Sequence, residues 1–272
     1  MRSFKKLDMA SADWLTTHFL AKSADRAREI VSLGIQPGNR VLDLCCGPGL
    51  FMAPLLPLVG PSGHVTGIDQ DPLSLDAAHA RLTAQPHQTW TLKQARLEEA
   101  INEVDEFDVI LLFNSIGYFE NPHEVVAKLA AGMRPGALLM VKDFDLESFF
   151  FQPRNIDAWS TLVRHAKRRN DGDNPVSFDN FLGRRIHTLH RAAPFRSYRC
   201  STWTQLMTYP FNPMQVEYIW RNIECLVQQA GADLPHDVAE YFKADFYPPE
   251  NRFFEQPEAM FIETEYLIAL TV

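Results

Sequence analysis

The stretch from Val41 to Phe51 reads Val-Leu-Asp-Leu-Cys-Cys-Gly-Pro-Gly-Leu-Phe and decides the fold. A β-rich apolar run is followed at once by a glycine turn and then by an apolar helical pattern. A strand that passes through such a turn into a helix brings backbone N–H groups and a helix N-terminus to the carboxyl end of the sheet. The stretch therefore predicts an α/β fold with a site for a nucleotide-like ligand.

Short apolar strands alternate with helical patterns on both sides of this stretch. We predict strands at 40–44, 64–69, 89–94, 107–113 and 136–143, and helices at 50–59, 72–84, 96–103 and 122–133. This alternation is typical of a parallel sheet with helices on both faces.

The segments before and after this alternation predict further helices and strands, and they divide the chain into three regions. Residues 11–33 read as one helix that ends at Gly34, and 155–193 read as a mostly helical insertion. Strands are predicted at 198–209 and 260–270, and helices at 213–230 and 236–246. We expect an N-terminal helical lid (1–35), a ligand-binding core (36–145), and helical cap insertions with the last two strands (146–272).

Composition limits the class of protein. With 46% hydrophobic residues and a net charge of -8, the chain can bury a full core, and its charge disfavours nucleic acid and anionic membranes as partners. The N-terminus does not resemble a signal peptide, and no apolar stretch is long enough to cross a bilayer. We expect a soluble cytoplasmic protein whose four cysteines, which lack metal-ligand spacing, are reduced and mostly buried.

The residues around the glycine turn select among nucleotide-like ligands. A dinucleotide fingerprint would place a third glycine where this chain has Met52, and Asp43 would repel a pyrophosphate. A carboxylate at Asp43 suits an ammonium group instead. Asp69 follows the turn at about 20 residues, the spacing at which an acid accepts ribose hydroxyls. An ammonium, a ribose and close backbone approach together describe S-adenosylmethionine.

Four segments in this order, 41–49, 67–70, 107–114 and 129–141, resemble the successive motifs of class I S-adenosylmethionine-dependent methyltransferases, nearest to the UbiE-like small-molecule branch. The resemblance covers about 36–143. It implies a Rossmann-like, seven-stranded, mostly parallel sheet whose last strand is antiparallel and lies next to the fifth. It also implies S-adenosylmethionine as cofactor and a class of small acceptor molecules.

The same resemblance assigns cofactor contacts residue by residue. The methionine part would be bound by Asp43 and the Gly-Pro-Gly turn, the ribose by Asp69, and the adenine by residues after the second and third strands. Gln94 departs from the family, since many relatives have an acid there. The implied residues are Asp43, Gly47, Pro48, Gly49, Asp69, Gln70, Ala95, Arg96 and Asn114.

Three residues are candidates for catalysis. Tyr118 follows the fourth strand and could stack on an acceptor ring, or could pack under the next helix. Asp143 ends the fifth strand and could act as a base or clamp, or could be a solvated acid. His187, in the insertion with His165 and His190, is a candidate general base or a surface residue.

Charge is unevenly distributed in the last part of the chain. Residues 154–199 are rich in Arg and Lys, and residues 212–265 are rich in acids. The two segments could pair across the fold or across a dimer interface. Alternatively, Arg184, Arg185 or Arg191 could bind a carboxylate or phosphate on an acceptor.

We therefore predict an enzyme of secondary metabolism that methylates a small aromatic or lipophilic metabolite at oxygen, nitrogen or carbon. Two alternatives stay open: an RNA methyltransferase that uses 154–199 to contact phosphates, and a non-catalytic protein that only binds S-adenosylmethionine. The expected partner is a small-molecule acceptor, without membrane or metal. A homodimer is compatible with the sequence.

Overall fold

The computed structural model describes residues 11–85, 89–170 and 178–272, without the side chains of 169 and 170. One eight-stranded sheet runs through these residues. Its strands are β1 (Arg40–Leu44), β2 (His64–Asp69), β3 (Trp90–Gln94), β4 (Val109–Phe113), β5 (Leu138–Phe144), β6 (Phe150–Gln152), β7 (Ser197–Thr208) and β8 (Met260–Thr271).

The α-helices are α1 (Ala12–Leu20), α2 (Ser23–Ser32), α3 (Met52–Val59), α4 (Pro72–Thr83), α5 (Leu97–Ala100), α6 (Pro122–Gly132), α7 (Ile156–Asn170), α8 (Pro213–Ala230) and α9 (His236–Phe246). A 3₁₀ helix spans Gly183–Arg191.

The sheet confirms the predicted topology. The first five strands are parallel in the order β3-β2-β1-β4-β5, and β8 lies antiparallel next to β5. Strand β7 pairs with β8 along its whole length. The sheet has eight strands because the short β6 also pairs with β8, from Phe150 opposite Ile262 to Gln152 opposite Met260.

Local sequence explains the elements that carry the site. Every residue of β4, Val-Ile-Leu-Leu-Phe, is buried, as is typical of a central parallel strand covered on both faces. Helix α4 begins at Pro72, and the Asp71 carboxylate accepts hydrogen bonds from the backbone of Leu73 and Ser74. Asp71 is therefore the N-cap of α4.

Two predicted helical segments differ in the structure. Residues 11–33 form two helices rather than one, and the junction contains Lys22, whose side chain is buried. The insertion predicted at 155–193 consists of α7 and, after the undescribed residues 171–177, the 3₁₀ helix. The candidates His187 and His190 therefore lie on a 3₁₀ helix.

Three hydrophobic clusters fill the molecule. One packs α2 and α3 against the sheet, and a second packs α5, α6 and the 3₁₀ helix against the opposite face. A third joins α7, α8 and α9 in the cap and includes Phe149, Phe151 and Trp159. These three aromatic side chains are therefore buried in the core of the cap. Among the described residues, no helix is both long and apolar enough to cross a membrane.

Candidate functional site

The predicted glycine turn joins β1 to α3 and has the backbone that its glycines allow. Gly47 and Gly49 have φ of 52° and 69°, in the left-handed region that side chains disfavour. A Cβ atom on Gly49 would lie 3.0 Å from Cβ of Ala78. The Gly47 N–H donates to Asp69 Oδ2 at 2.8 Å, so the turn and the end of β2 form one site.

Asp43 lies on β1 under this turn. Its side chain is buried, and the oxygen Oδ2 has no hydrogen-bond partner among the described residues. Burial, followed by the negative charge of Asp69, raises the pKa of Asp43 to about 8. A buried carboxylate oxygen without a partner is costly unless a ligand supplies the missing donor or cation.

The residues predicted to contact adenine lie at the carboxyl ends of β2 and β3. The Gln94 amide nitrogen donates to the Gln70 carbonyl at 3.2 Å, and the Ala95 N–H donates to the Asp69 carbonyl at 3.1 Å. Gln94 thus links the two strand ends, although it is not the acid of many relatives. Arg96 is exposed beside Glu98, and the Pro48 carbonyl accepts from Arg81.

The adjacent cysteines lie at the same turn. Burial raises the pKa of the Cys45 thiol to about 12 and raises that of Cys46 still more. These shifts disfavour the thiolate, which is the reactive form of cysteine.

Asn114 follows β4 with φ of 54°, a left-handed conformation that asparagine tolerates. Its Oδ1 atom accepts a hydrogen bond at 2.6 Å from Nζ of Lys142 on β5. Sequence reasoning missed Lys142, although a lysine inside the run Leu-Leu-Met-Val-Lys-Asp-Phe is a signal that a buried partner exists. Burial, the largest cause, lowers the pKa of Lys142.

Lys142 belongs to a buried charge cluster that joins the N-terminal helices to the sheet. Glu265 on β8 is its centre and contacts all three of the cluster's cations. Lys22 also contacts Glu263 at 2.9 Å and His18 at 3.1 Å. The cations hold the pKa of Glu265 well below its usual range, although burial opposes this. The buried charge cluster comprises His18, Lys22, Arg26, Lys142, Glu263 and Glu265.

Aromatic rings lie next to this cluster and to the loop after β4. Trp14 stacks on Tyr218 with ring centroids 5.8 Å apart, and His18 is 6.0 Å from Phe144. Phe144 in turn stacks on Phe178 at 5.7 Å, and Phe178 contacts Tyr118 at 4.6 Å. We call these residues the aromatic wall: Trp14, His18, Tyr118, Phe144, Phe178 and Tyr218.

Two of the three catalytic candidates lie close to each other. Asp143 is fully buried, and its carboxylate accepts from the backbone N–H groups of Gly117 and Phe144. Burial is the main cause that raises its pKa to about 7. Asp143 thus supports the loop that carries Tyr118, whose ring is part of the aromatic wall and partly exposed.

The third candidate, His187, is not brought to these residues. Its side chain is exposed, and Nδ1 lies 2.9 Å from the carbonyl of Arg184 on its own 3₁₀ helix. That helix begins beside Phe144, where a Cβ on Gly183 would lie 2.6 Å from the Phe144 carbonyl, and it runs toward the amino ends of the strands. His18 belongs to the aromatic wall instead, and it lies in a helix that the sequence indicated only by its apolar spacing.

Several ion pairs of the basic segment are made with acids outside residues 212–265, and pairing across a dimer interface stays a prediction. Arg184 pairs with Asp145 and Glu147, Lys167 pairs with Glu147, and Arg185 pairs with Asp179. Glu263 and Glu265 of β8 pair instead with the cations of the buried charge cluster. The cause is proximity in the fold: β8 lies beside β5, whereas the 3₁₀ helix begins over the residues that follow β5.

The residues present fit S-adenosylmethionine. Asp43 offers an unpaired carboxylate oxygen to an ammonium group, and the lack of Cβ atoms at Gly47 and Gly49 lets a ligand approach the backbone of the turn closely. Asp69 uses each oxygen once, for the N–H groups of Gly47 and Asp71. Each carboxylate oxygen can accept a second hydrogen bond, so ribose hydroxyls can be bound as well.

Comparisons with known proteins identify the family of this chain. The family model described as "Methyltransferase domain" matches residues 16–185. The 2-phytyl-1,4-naphtoquinone methyltransferase of Trichormus variabilis is 30% identical over 114 residues, which are 41% of this chain and 49% of that protein. An uncharacterized protein in transposon TN4556 of Streptomyces fradiae is 26% identical over 191 residues, 69% of this chain and 52% of that protein.

The chain thus spans about half the length of these two relatives. Among solved structures, a cyclopropane-fatty-acyl-phospholipid synthase-like protein from Lactobacillus casei superimposes with a TM-score of 0.57 at 20% identity. The match covers 96% of this chain and 94% of that one. This likeness concerns the fold alone.

Proposed function

The chain belongs to the methyltransferase domain family, as a class I S-adenosylmethionine-dependent methyltransferase, and from this premise we propose that it methylates a small aromatic or lipophilic molecule. The observation that carries the proposal is the buried Asp43 oxygen without a partner, next to a glycine turn tied to Asp69. This arrangement supports binding of a cofactor that carries both an ammonium group and a ribose.

When bound, S-adenosylmethionine supplies an activated methyl group on a sulfonium, so the protein must align the acceptor, exclude water and, where needed, remove a proton. In this proposal Asp43 binds the ammonium group and Asp69 binds the ribose hydroxyls. Gln70, Ala95 and Arg96 border the adenine, while Asn114 lies under the sulfonium.

The aromatic wall supports an acceptor with an apolar ring. It lies at the carboxyl ends of β4 and β5, adjoining Asn114 through Lys142 and the buried charge cluster. A naphthoquinone methyltransferase among the relatives agrees with a ring-bearing acceptor. Arg184 and Arg185 form ion pairs with acids of the same chain, so they give no support to phosphate contacts.

We further propose that α1 is the lid over this site. Trp14 and His18 contribute to the aromatic wall, and Cδ1 of Leu15 lies 3.1 Å from the position of a Cβ on Gly47. Helix α1 therefore packs on both the glycine turn at 47–49 and the rest of the aromatic wall. Its displacement would open both sides, and its return would exclude water.

The first test is calorimetric titration of S-adenosylmethionine and S-adenosylhomocysteine into the purified chain. We expect micromolar binding that Asp43→Asn weakens at least 100-fold, because the variant loses the charge that faces the ammonium. Asp76→Asn on the exposed surface of α4 is the matched control and should bind normally. Absence of binding to the unmodified chain would refute the proposal.

The second test concerns the acceptor. A labelled methyl group from S-adenosylmethionine should appear on members of a panel of hydroquinones, phenols and aromatic amines, and replacing Phe144 with Ala should lower that transfer. Label transferred only to RNA would favour the alternative function.

A further inference from the structure

A buried cation, Lys142, is hydrogen-bonded to both the backbone and the side chain of Asn114. The Asn114 backbone N–H donates to the Lys142 carbonyl at 2.8 Å, and the Asn114 side-chain Oδ1 accepts from Lys142 Nζ at 2.6 Å. An ammonium group only donates hydrogen bonds, so the atom that faces Lys142 must be the amide oxygen. The orientation of the Asn114 amide follows from this chemistry.

Lys142 has little freedom to release this contact. Its side chain is fully buried, and Nζ also donates to Glu265 Oε1 at 3.0 Å. The rings of Phe51, Phe113 and Trp203 surround the ammonium, with centroids 5.5 to 5.8 Å from Nζ. Glu265 is fixed in turn by Lys22 and Arg26 from the N-terminal helices.

We infer that Lys142 is a positioning residue, which turns the Asn114 amide so that its NH₂ group donates to an oxygen of the bound cofactor. With Oδ1 committed to Lys142, Nδ2 points away from the lysine, and it donates to no acceptor among the described contacts. The inference rests on the proposed function, because it takes Asn114 to border S-adenosylmethionine. Lys142 itself does not touch the ligand and acts only through Asn114.

A double-mutant cycle tests this inference, with S-adenosylhomocysteine titrated calorimetrically into folded protein. Lys142→Met has a similar volume and keeps the strand apolar. We expect it to weaken binding about tenfold, the size of one lost hydrogen bond to a ligand. Asn114→Ala should weaken binding by a similar factor, and the double variant should bind no more than about twofold weaker than Asn114→Ala alone.

Two further variants sharpen the test. Asn114→Asp retains an oxygen for Lys142 but has no NH₂ group, so it should lose as much affinity as Asn114→Ala. Lys128→Met, on the exposed face of α6, controls for the loss of a lysine and should bind like the unmodified chain. If Lys142→Met does not fold, Lys142→Gln replaces it, because its shorter neutral side chain stops short of Asn114.

The outcomes separate the inference from the proposed function. If the unmodified chain binds no S-adenosylhomocysteine, the proposed function fails. If it binds but Lys142→Met binds equally well, or if the losses of the two single variants add in the double variant, the inference is overturned. An Asn114→Asp variant with full affinity would also overturn it, since the NH₂ group would then be unnecessary.

Discussion

The buried charge cluster and the strand below the glycine turn at 47–49 both place carboxylates in the interior, at the same end of the sheet, but these carboxylates have opposite surroundings. Glu265 contacts Lys22, Arg26 and Lys142, and its pKa is held well below the usual range. Asp43 has an oxygen without a described partner, and burial raises its pKa to about 8.

This contrast shows how to tell a buried carboxylate that stabilises the fold from one that binds a ligand. Removing one member of a group of paired buried ions leaves the others uncompensated, so such a group is needed for folding. A buried acid without a partner destabilises the fold, so it is retained for a ligand that will complete it. Charge burial alone therefore identifies neither role, and the contacts made by each oxygen decide.

The largest expected effect is on folding. Replacing Glu265 with Ala should lower the free energy of unfolding by about 3–5 kcal/mol, because three buried cations lose their common partner. Urea denaturation followed by circular dichroism measures this. The matched control is Glu124→Ala, whose exposed pair with Lys128 should contribute about 0.5 kcal/mol or less. A similar loss of free energy of unfolding in both variants would show that the buried charge cluster contributes no more to stability than an exposed ion pair.

The next effect should have the opposite sign. Asp43→Asn removes the acid that burial destabilises, so without ligand the variant should gain about 1 kcal/mol of stability at neutral pH. The same substitution should nearly abolish binding of S-adenosylmethionine. Thermal denaturation with and without ligand measures both. A variant that loses stability without ligand would show that Asp43 is a structural residue like Glu265.

The pH dependence sharpens the same contrast. The raised pKa means that folded Asp43 keeps its proton where the unfolded chain has lost it, so stability without ligand should fall as pH rises from about 4 to about 8. Asp143, with a pKa raised to about 7, adds to this fall. Asp43→Asn should therefore reduce the slope without removing it.

Cofactor affinity should change with pH in the opposite direction. Because the ammonium needs an ionised Asp43, affinity should increase with pH up to about 8, by at most about tenfold per unit. Calorimetry between pH 6 and 9 measures this change, which Asp43→Asn should lack. An affinity that does not vary over this range in the unmodified chain would mean that Asp43 is already ionised when ligand is absent.

The smallest effect concerns the exposed ion pairs of the cap. Replacing Arg185 with Ala breaks its pair with Asp179 and should change stability by about 0.5 kcal/mol or less. Acceptor affinity should not change, since the arginine is already paired. Once an acceptor is known, a rise in its KM for this variant would revive the alternative that the insertion binds an anionic group.

The parallel core was predictable because its signals are local. The all-apolar β4, the glycine turn and the N-cap at Asp71 each follow from a few adjacent residues, and the structure confirms the sheet order and the antiparallel last strand. Helix boundaries were predicted less exactly, since residues 11–33 form two helices rather than one. Lys22 lies at the break and is buried in contact with Glu263 and Glu265, and local helix propensity does not reveal this contact.

The residues of the aromatic wall could not be predicted from the sequence, because their contacts join distant parts of the chain. His187 was chosen from a helix rich in histidine, but that helix runs away from the mouth of the site. His18, Phe144 and Tyr218 come from three separate segments and meet only in the fold. Likewise, no sequence spacing reveals that Lys142 reaches both Asn114 and Glu265.

The sequence by itself determined the strand-turn-helix unit, the sheet order and the family, because these depend on periodicity, turn chemistry and short-range spacing. The three-dimensional fold was needed to see which buried acids are paired with cations, and to see that an oxygen of Asp43 has no partner among the described residues. The physical reason is that the free energy of a buried charge depends on what surrounds it in space, and that environment is assembled from residues far apart along the chain.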